Sequence, residues 1–293
     1  MKISVSSYSF HQYIAQGKMT QLDTIAKAHE LGFEAIEFTD LTPCENPTLE
    51  QQKEYAAALR AEADKYGMEI NAYTIGGKLY QPTEEGAKAE IERLCGQLDV
   101  AKILGVQLMR HDVATASLMG KTGTSRSFDL MLPNIAANTR AVTEYAATLG
   151  IRTCSENHGT LAQDSDRMER LFNAVNHDNY GLLVDMGNFI CVDENPHTAV
   201  SRVAPYAIHA HAKDFYMKSA SGDKPEGWGT TRGGNFFKGA IIGEGVVPVK
   251  ACLRALKVAK YDGYLSIEYE GAEDCLKGIA KGLKNLQRFL SEI

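Results

Sequence analysis

The chain has 293 residues, of which 44% are hydrophobic and 23% are charged, and this composition is ordinary for a soluble globular protein. Its formal net charge of -6 disfavours a nucleic acid partner, and it has no run of about 18 apolar residues that predicts a transmembrane helix or a membrane partner. The six cysteines are widely spaced and form no CxxC pair, which favours reduced thiols in a cytoplasmic protein.

A helical stretch, a glycine and an alternating apolar run recur in this order, as in AKAHELGFEAIEF and VAKILGVQLMR. A glycine just after a helix adopts the left-handed cap conformation at little steric cost, and the apolar run predicts the next strand. The repeat glycines are Gly32, Gly67, Gly105, Gly150 and Gly263. Eight strands are predicted near residues 2–8, 34–39, 68–74, 106–111, 151–157, 181–186, 207–213 and 264–270. Eight helices are predicted near residues 19–31, 48–66, 83–104, 133–149, 165–176, 197–203, 249–260 and 274–291.

Proline is tolerated in the first turn of a helix, and five prolines fall at predicted helix starts: Pro47, Pro82, Pro133, Pro196 and Pro248. Eight alternating strands and helices predict an α/β fold in which residues 1–293 form a single (β/α)8 TIM barrel. An open doubly wound sheet is the alternative, but no GxGxxG follows the first strand. The connections from strand to helix are long, at 75–82, 112–132 and about 214–247, and we expect them to be structureless loops at the end of the barrel where active sites lie.

A carboxylate or an imidazole stands at the end of each of the last four predicted strands: Glu156, Asp185, His211 and Glu268. In a barrel whose strands all point the same way, these ends meet at one rim. Three carboxylates and an imidazole suit a divalent ion such as Mn²⁺, Co²⁺, Zn²⁺ or Mg²⁺. The sequence therefore predicts one divalent metal ion as the cofactor of a metal-dependent enzyme. The plainer alternatives are a salt bridge for a buried glutamate and a helix cap for Asp185.

Glu156 and Glu268 are the predicted catalytic residues. Two carboxylates on different sides of the barrel mouth could share a metal and flank a substrate. One carboxylate could remove the proton next to a carbonyl and the other could return it, while the metal stabilises the enediolate.

Six further residues are predicted to contact the substrate: Tyr73, His111, His158, Asn188, Lys213 and Trp228. His158 could bind a hydroxyl group, and Lys213 could hold an anionic oxygen or pair with Asp214. Tyr73 could pack against the carbon face of a sugar, and Trp228 lies in a glycine-rich segment suited to a lid or a subunit contact.

Three other residues have alternative interpretations. Arg110 and His111 alternate in direction, so at most one of them points into the barrel. Glu37 could bind a hydroxyl or pair with Arg110, and we favour the pairing.

The motifs SENHG (155–159), VDMGN (184–188), HAHAKD (209–214), IGEG (242–245) and IEYEG (267–271) follow one another in the last four strands and their loops. In this order the chain resembles the xylose-isomerase-like TIM-barrel family of sugar and sugar-phosphate isomerases and epimerases, over nearly its whole length. The resemblance implies Glu156, Asp185, His211 and Glu268 as metal ligands, with the two glutamates as the acid/base pair. The chain departs from the family at Asn188, where a histidine is frequent. Sugar 3-epimerases of the family also place an arginine shortly after the residue matching His211, and here the segment is KDFYMK.

The leading functional hypothesis is a metal-dependent isomerase or epimerase of a small sugar, a sugar phosphate or a related keto-polyol. The alternatives are a metal-dependent lyase, dehydratase or deglycosylating enzyme on a keto-sugar, and a non-catalytic sugar-binding barrel. An apurinic endonuclease is disfavoured by the acidic balance and by the presence of only eight histidines. A small carbohydrate is the expected partner, and barrels with long loops at this end often form homo-oligomers such as dimers or tetramers.

Overall fold

The structure is a computed structural model that describes residues 1–120, 123, 125 and 127–293. The described strands are β1 (Lys2–Ser6), β2 (Ala35–Thr39), β3 (Glu69–Ile75), β4 (Leu108–His111), β5 (Arg152–Glu156), β6 (Tyr180–Asp185), β7 (Ala207–Ala212), β8 (Asp214–Lys218), β9 (Gly229–Thr230), β10 (Phe236–Ala240) and β11 (Tyr264–Ile267). Strands β1–β7 and β11 form a closed barrel, in which every neighbouring pair is parallel and β1 pairs with both β2 and β11. The predicted TIM barrel is therefore confirmed.

Helices connect the barrel strands and pack around them. They are α1 (His11–Ala15), α2 (Asp23–Glu30), α3 (Leu49–Tyr66), α4 (Glu84–Leu104), α5 (Phe128–Leu149), α6 (Ser165–Val175), α7 (Pro196–Val203), α8 (Val249–Val258) and α9 (Cys275–Ser291). Short 3-10 helices lie at Ser7–Phe10, Ala116–Leu118, Asn188–Val192 and Ala204–Tyr206. No helix in the described part of the chain has both the length and the apolar character needed to cross a membrane.

The main apolar core lies between the strands and the helices. Outward-facing strand residues such as Ile36 and Phe38 are fully buried there. The inside of the barrel is more polar, because Ser4, His209 and Ser266 point inward and are also buried. This polar interior lies directly below the strand ends.

Two local predictions were wrong. The helix expected to start at Pro133 starts at Phe128, and Pro133 lies in its second turn, where the helix continues although the proline has no N–H to donate. The expected cap glycine Gly263 is not left-handed, and Lys260, with φ of 62°, takes the left-handed conformation after α8 instead.

The connection at 214–247 is not structureless, contrary to expectation. It contains β8, β9 and β10, which form an antiparallel three-stranded sheet in the order β8-β10-β9. The aromatic-rich runs FYMK and NFFKGA favour strands, but the glycine-rich segment between them favoured a loop. The loop predicted at 112–132 lies partly outside the described residues.

Candidate metal centre and active site

A cavity of about 220 Å³ opens at the carboxyl ends of the barrel strands. This is below the roughly 300–1,000 Å³ of sites for drug-sized ligands and suits a smaller molecule. One half of the lining comprises Glu156, His211, Lys213, Glu268 and Glu270, the other comprises Thr39, Asp40, Thr74, Arg110, Asp112 and His158, and Tyr8 and Gly76 complete the lining.

The four predicted metal ligands converge, and three of them, Glu156, His211 and Glu268, line this cavity. One ligand atom from each of Glu156, Asp185, His211 and Glu268 lies within 4.8 Å of all the others. His211 Nδ1 lies 3.7 Å from Glu156 Oε1, 3.8 Å from Asp185 Oδ2 and 3.5 Å from Glu268 Oε2. Two tetrahedral ligands held about 2.1 Å from a zinc ion are roughly 3.4 Å apart, so the observed spacing fits ligands around one ion.

The surroundings of His211 also fit a cation. Its side chain is buried, and within the residues that the structure describes neither ring nitrogen forms a hydrogen bond, including Nδ1, which faces the three carboxylates. Burial alone would lower the pKa of His211, but the charges of Glu37 and Glu268 raise that pKa well above its usual value. A divalent ion would give His211 Nδ1 a partner and offset the negative charge of the carboxylates. The side chains present therefore fit the predicted metal.

The two carboxylate oxygens of Asp185 have different surroundings. Its Oδ1 accepts hydrogen bonds from the backbone N–H groups of Gly187 at 2.7 Å and Asn188 at 3.0 Å, in the turn that leads into the following 3-10 helix. Its Oδ2 faces His211. Asn157 fixes the strand end further, because its side chain both donates to the carbonyl and accepts from the N–H of Asp185. The hydrogen bonds of Oδ1 to the turn therefore orient the carboxylate with Oδ2 towards His211.

Lys213 is a buried cation beside these ligands. Its ammonium group contacts Glu268 and lies 3.2 Å from Asp185 Oδ2 and 3.4 Å from Glu270 Oε1. Burial would lower the pKa of Lys213, but these carboxylates, led by Asp185, raise it well above the usual value. The alternative pairing with Asp214 is not observed, because that carboxylate accepts backbone N–H groups of the IGEG loop and its neighbours.

Lys213 packs closely against Gly187, which follows the end of β6. A Cβ atom at Gly187 would be 3.0 Å from Cβ, Cγ and the carbonyl oxygen of Lys213. The glycine of VDMGN therefore has a packing role in the site.

Arg110 occupies the opposite side of the cavity. Its guanidinium group contacts Glu156 and lies 3.2 Å from Asp112 Oδ1, and His158 Nδ1 lies 3.1 Å from Asp112 Oδ2. Burial raises the pKa of Glu156 despite the nearby arginine, whereas Lys213 and His211 outweigh burial and hold the pKa of Glu268 well below its usual value. The two predicted catalytic carboxylates thus have different electrostatic environments.

The favoured pairing of Glu37 with Arg110 was wrong. Glu37 instead lies 2.6 Å from His209 Nε2 and 2.9 Å from His211 Nε2. Burial would raise the pKa of Glu37, but His211 and His209 hold it well below its usual value. Strand alternation predicts that Glu37 and Arg110 point into the barrel. It does not predict their partners, because these depend on the stagger of the strands around the barrel.

Of the six predicted substrate contacts, only His158 and Lys213 line the cavity. Asn188 lies behind it, where its side chain donates to Glu156 Oε1 at 2.8 Å and accepts from Lys213 at 3.3 Å.

Tyr73, His111 and Trp228 lie elsewhere, contrary to expectation. Tyr73 is fully buried and its hydroxyl donates to Gln97 on α4, so it faces the helices. His111 is buried on the opposite side of β4 from Arg110, as strand alternation requires. The ring of Trp228 lies next to Lys218, whose Nζ is 5.5 Å from the ring centroid.

Several cavity residues were not singled out from the sequence. Thr39, Asp40, Thr74 and Asp112 follow or end β2, β3 and β4, and the hydroxyl oxygens of Thr39 and Thr74 are 2.9 Å apart. Their position at strand ends was an available signal, but threonines and aspartates are also common in ordinary turns.

The fold and the converging side chains define a TIM-barrel protein with a candidate divalent-metal centre. Residues 25–292 match the xylose isomerase-like TIM barrel family, and the chain belongs to this family.

Three relatives give this assignment context. An inosose dehydratase from Lacticaseibacillus casei is 24% identical over 137 residues, which is 46% of this chain and 46% of that protein. The matched part thus spans about half the length of the curated relatives. A structure of L-ribulose 3-epimerase is 17% identical with a TM-score of 0.73, covering 100% of this chain and 95% of that one. The structure of the IOLI protein with a bound zinc atom is 17% identical with a TM-score of 0.74, covering 100% and 99%. The two structural similarities show the shared fold.

Proposed function

We propose that this protein is a divalent-metal-dependent isomerase or epimerase of a small keto-sugar or related keto-polyol. The observation that carries the proposal is the convergence of three carboxylates and one imidazole at the mouth of the barrel. Two of the carboxylates, Glu156 and Glu268, also line the cavity and come from strands separated by β6 and β7. A passive sugar-binding barrel has no need to bury so many like charges together.

Glu156, Asp185, His211 and Glu268 would hold the ion, which would supply Lewis-acid stabilisation of negative charge on the substrate oxygens. One glutamate removes the proton from the carbon next to the carbonyl, and an enediolate forms. The other glutamate returns a proton. Return to the opposite face of the same carbon gives an epimer, and return to the neighbouring carbon gives an isomer.

Each of the two glutamates forms an ion pair with its own basic residue. Arg110 contacts Glu156, and Lys213 contacts Glu268. Asn188 adds a hydrogen bond to Glu156 and accepts one from Lys213, so the two carboxylates are linked through buried groups. His158 and the threonine and aspartate side chains of the other cavity half would bind substrate hydroxyls.

A dehydratase is the second candidate, and the similarity to inosose dehydratases favours it. The same proton removal would then be followed by loss of a hydroxyl group from the carbon next to the deprotonated one, on the side away from the carbonyl. That hydroxyl group takes up a proton and leaves as water. The substrate would lose the mass of one water, whereas isomerisation or epimerisation leaves its mass unchanged.

The test is exchange of carbon-bound hydrogen in D₂O, followed by NMR on a panel of D-ribulose, D-fructose and scyllo-inosose with Mn²⁺. We expect deuterium incorporation that stops with EDTA and falls at least about 100-fold in Glu268→Gln and Glu156→Gln. Glu244→Gln, which changes an exposed glutamate, is the matched control and should exchange normally. Mass spectrometry of the products separates the two candidates. Exchange that persists at the normal rate after metal removal contradicts both.

A further inference from the structure

A buried polar layer lies under the metal centre, in a place where barrels usually carry branched aliphatic side chains. Its members are Ser4, Glu37, His209 and Ser266, each no more than 1% exposed. A carboxylate taken fully out of water is strongly unfavourable unless it is paired and hydrogen-bonded. The position of Glu37 therefore needs a physical reason.

The contacts of Glu37 supply that reason. Its Oε2 accepts hydrogen bonds from His209 Nε2 at 2.6 Å and from Ser266 Oγ at 3.0 Å, and Ser266 is itself 2.6 Å from Ser4. Its Oε1 lies 2.9 Å from His211 Nε2, which is an ion-pair distance without the alignment of a hydrogen bond. Glu37 thus connects the deeper histidine to the predicted ligand histidine.

The two nitrogens of His211 face opposite environments. Nε2 faces the Glu37 carboxylate, which can only accept a hydrogen bond, so the imidazole proton belongs on Nε2. The lone pair of Nδ1 then points towards Glu156, Asp185 and Glu268. A histidine binds a metal through its unprotonated nitrogen, so the contact with Glu37 prepares Nδ1 for this task.

We propose that Glu37 is a positioning residue, which fixes the ring orientation and the tautomer of His211 so that Nδ1 binds the metal. This inference rests on the proposed function, because it requires the metal centre. His209 and Ser266 hold Glu37 in place, and Glu37 acts on the metal only through His211.

A second metal between Glu37, His209 and His211 is the competing explanation, because their ligand atoms also lie within 4.8 Å of one another. The 2.6 Å between Glu37 and His209 is a hydrogen-bond distance, well below the roughly 3.4 Å between tetrahedral zinc ligands. The contacts therefore favour hydrogen bonding over a second ion.

Zinc titration of the full chain tests the inference, with zinc affinity measured by competition with a chromophoric chelator. We expect Glu37→Gln to weaken zinc binding by about 10–100-fold, the usual effect of removing the partner of a ligand histidine. Ser4→Ala is the matched control, because Ser4 belongs to the same layer but bonds to Ser266 and leaves the contacts of Glu37 with His209 and His211 in place. It should change zinc affinity less than about threefold, even if both variants lose similar stability.

NMR of the zinc-loaded wild-type protein gives a readout that does not depend on any variant folding. Long-range ¹H–¹⁵N correlations should show His211 protonated on Nε2 with zinc on Nδ1. The titration should give a stoichiometry of one zinc per chain. Equal zinc affinity in wild type and Glu37→Gln, or a proton on Nδ1, overturns the positioning role while leaving the metal centre intact. Failure of the wild type to bind zinc overturns the proposed function and this inference together.

Discussion

Replacing Lys213 with methionine should destabilise the metal-free protein strongly and the metal-bound protein less. The ammonium group of Lys213 contacts Glu268 and lies 3.2 Å from Asp185 and 3.4 Å from Glu270, and the residue is only 3% exposed. Methionine fills a similar volume but removes the charge. Three carboxylates then lose their shared cation.

The magnitude follows from the burial of this cluster. Removing one partner of a buried ion pair usually destabilises a protein by about 3–5 kcal/mol, because the remaining charge is left uncompensated. Zinc should offset much of this loss, because a divalent ion neutralises the same carboxylates. The variant should also bind zinc at least about tenfold more tightly than wild type, which corresponds to about 1.4 kcal/mol.

Urea denaturation with EDTA and with saturating zinc measures both effects. Lys218→Met is the control, because Lys218 is exposed and lies outside the cavity. A loss below about 1 kcal/mol in EDTA would show that Lys213 is not a required counter-charge. An equal loss with and without zinc would show that it does not share its carboxylates with the metal.

Two further predictions concern residues outside the metal centre. Asp193→Ala should speed limited proteolysis of the connection at 214–247 and cost about 1–3 kcal/mol, because Asp193 accepts hydrogen bonds from Thr231 at 2.7 Å and from the N–H of Gly233 at 2.6 Å. Asp193→Asn is its control, because asparagine tolerates the left-handed φ of 59°. Equal cleavage of the wild type and the alanine variant would refute the role of Asp193 in holding this connection. Tyr73→Phe should lower the free energy of unfolding by about 1–2 kcal/mol through loss of its bond to Gln97, and leave zinc affinity and KM unchanged. A raised KM would return Tyr73 to the substrate site.

The barrel was predictable because its signals are local and repeated. Several helices end at a glycine and the barrel strands are short, largely apolar runs, so Gly67, Gly105 and Gly150 do take the expected left-handed caps after α3, α4 and α5. The convergence of the four predicted ligands followed from this topology, because parallel strands bring their carboxyl ends to one rim.

The partners of the charged residues were not predictable in the same way. Strand alternation gives the direction of Glu37 and Arg110, but the stagger of the barrel decides that Glu37 meets two histidines and Arg110 meets Glu156. Tyr73 shows the reverse error, since chemistry suggested a sugar contact and alternation on β3 should have placed it among the helices. Direction along a strand was therefore a better guide than residue type.

Anomalous diffraction from a crystal grown with Mn²⁺ tests the central claim most directly. We expect one strong peak per chain at the mouth of the barrel, about 2.0–2.3 Å from Nδ1 of His211 and from an oxygen of each of Glu156, Asp185 and Glu268. A peak at another place, or no peak when the ion is present in excess, would contradict the metal centre and the chemistry derived from it.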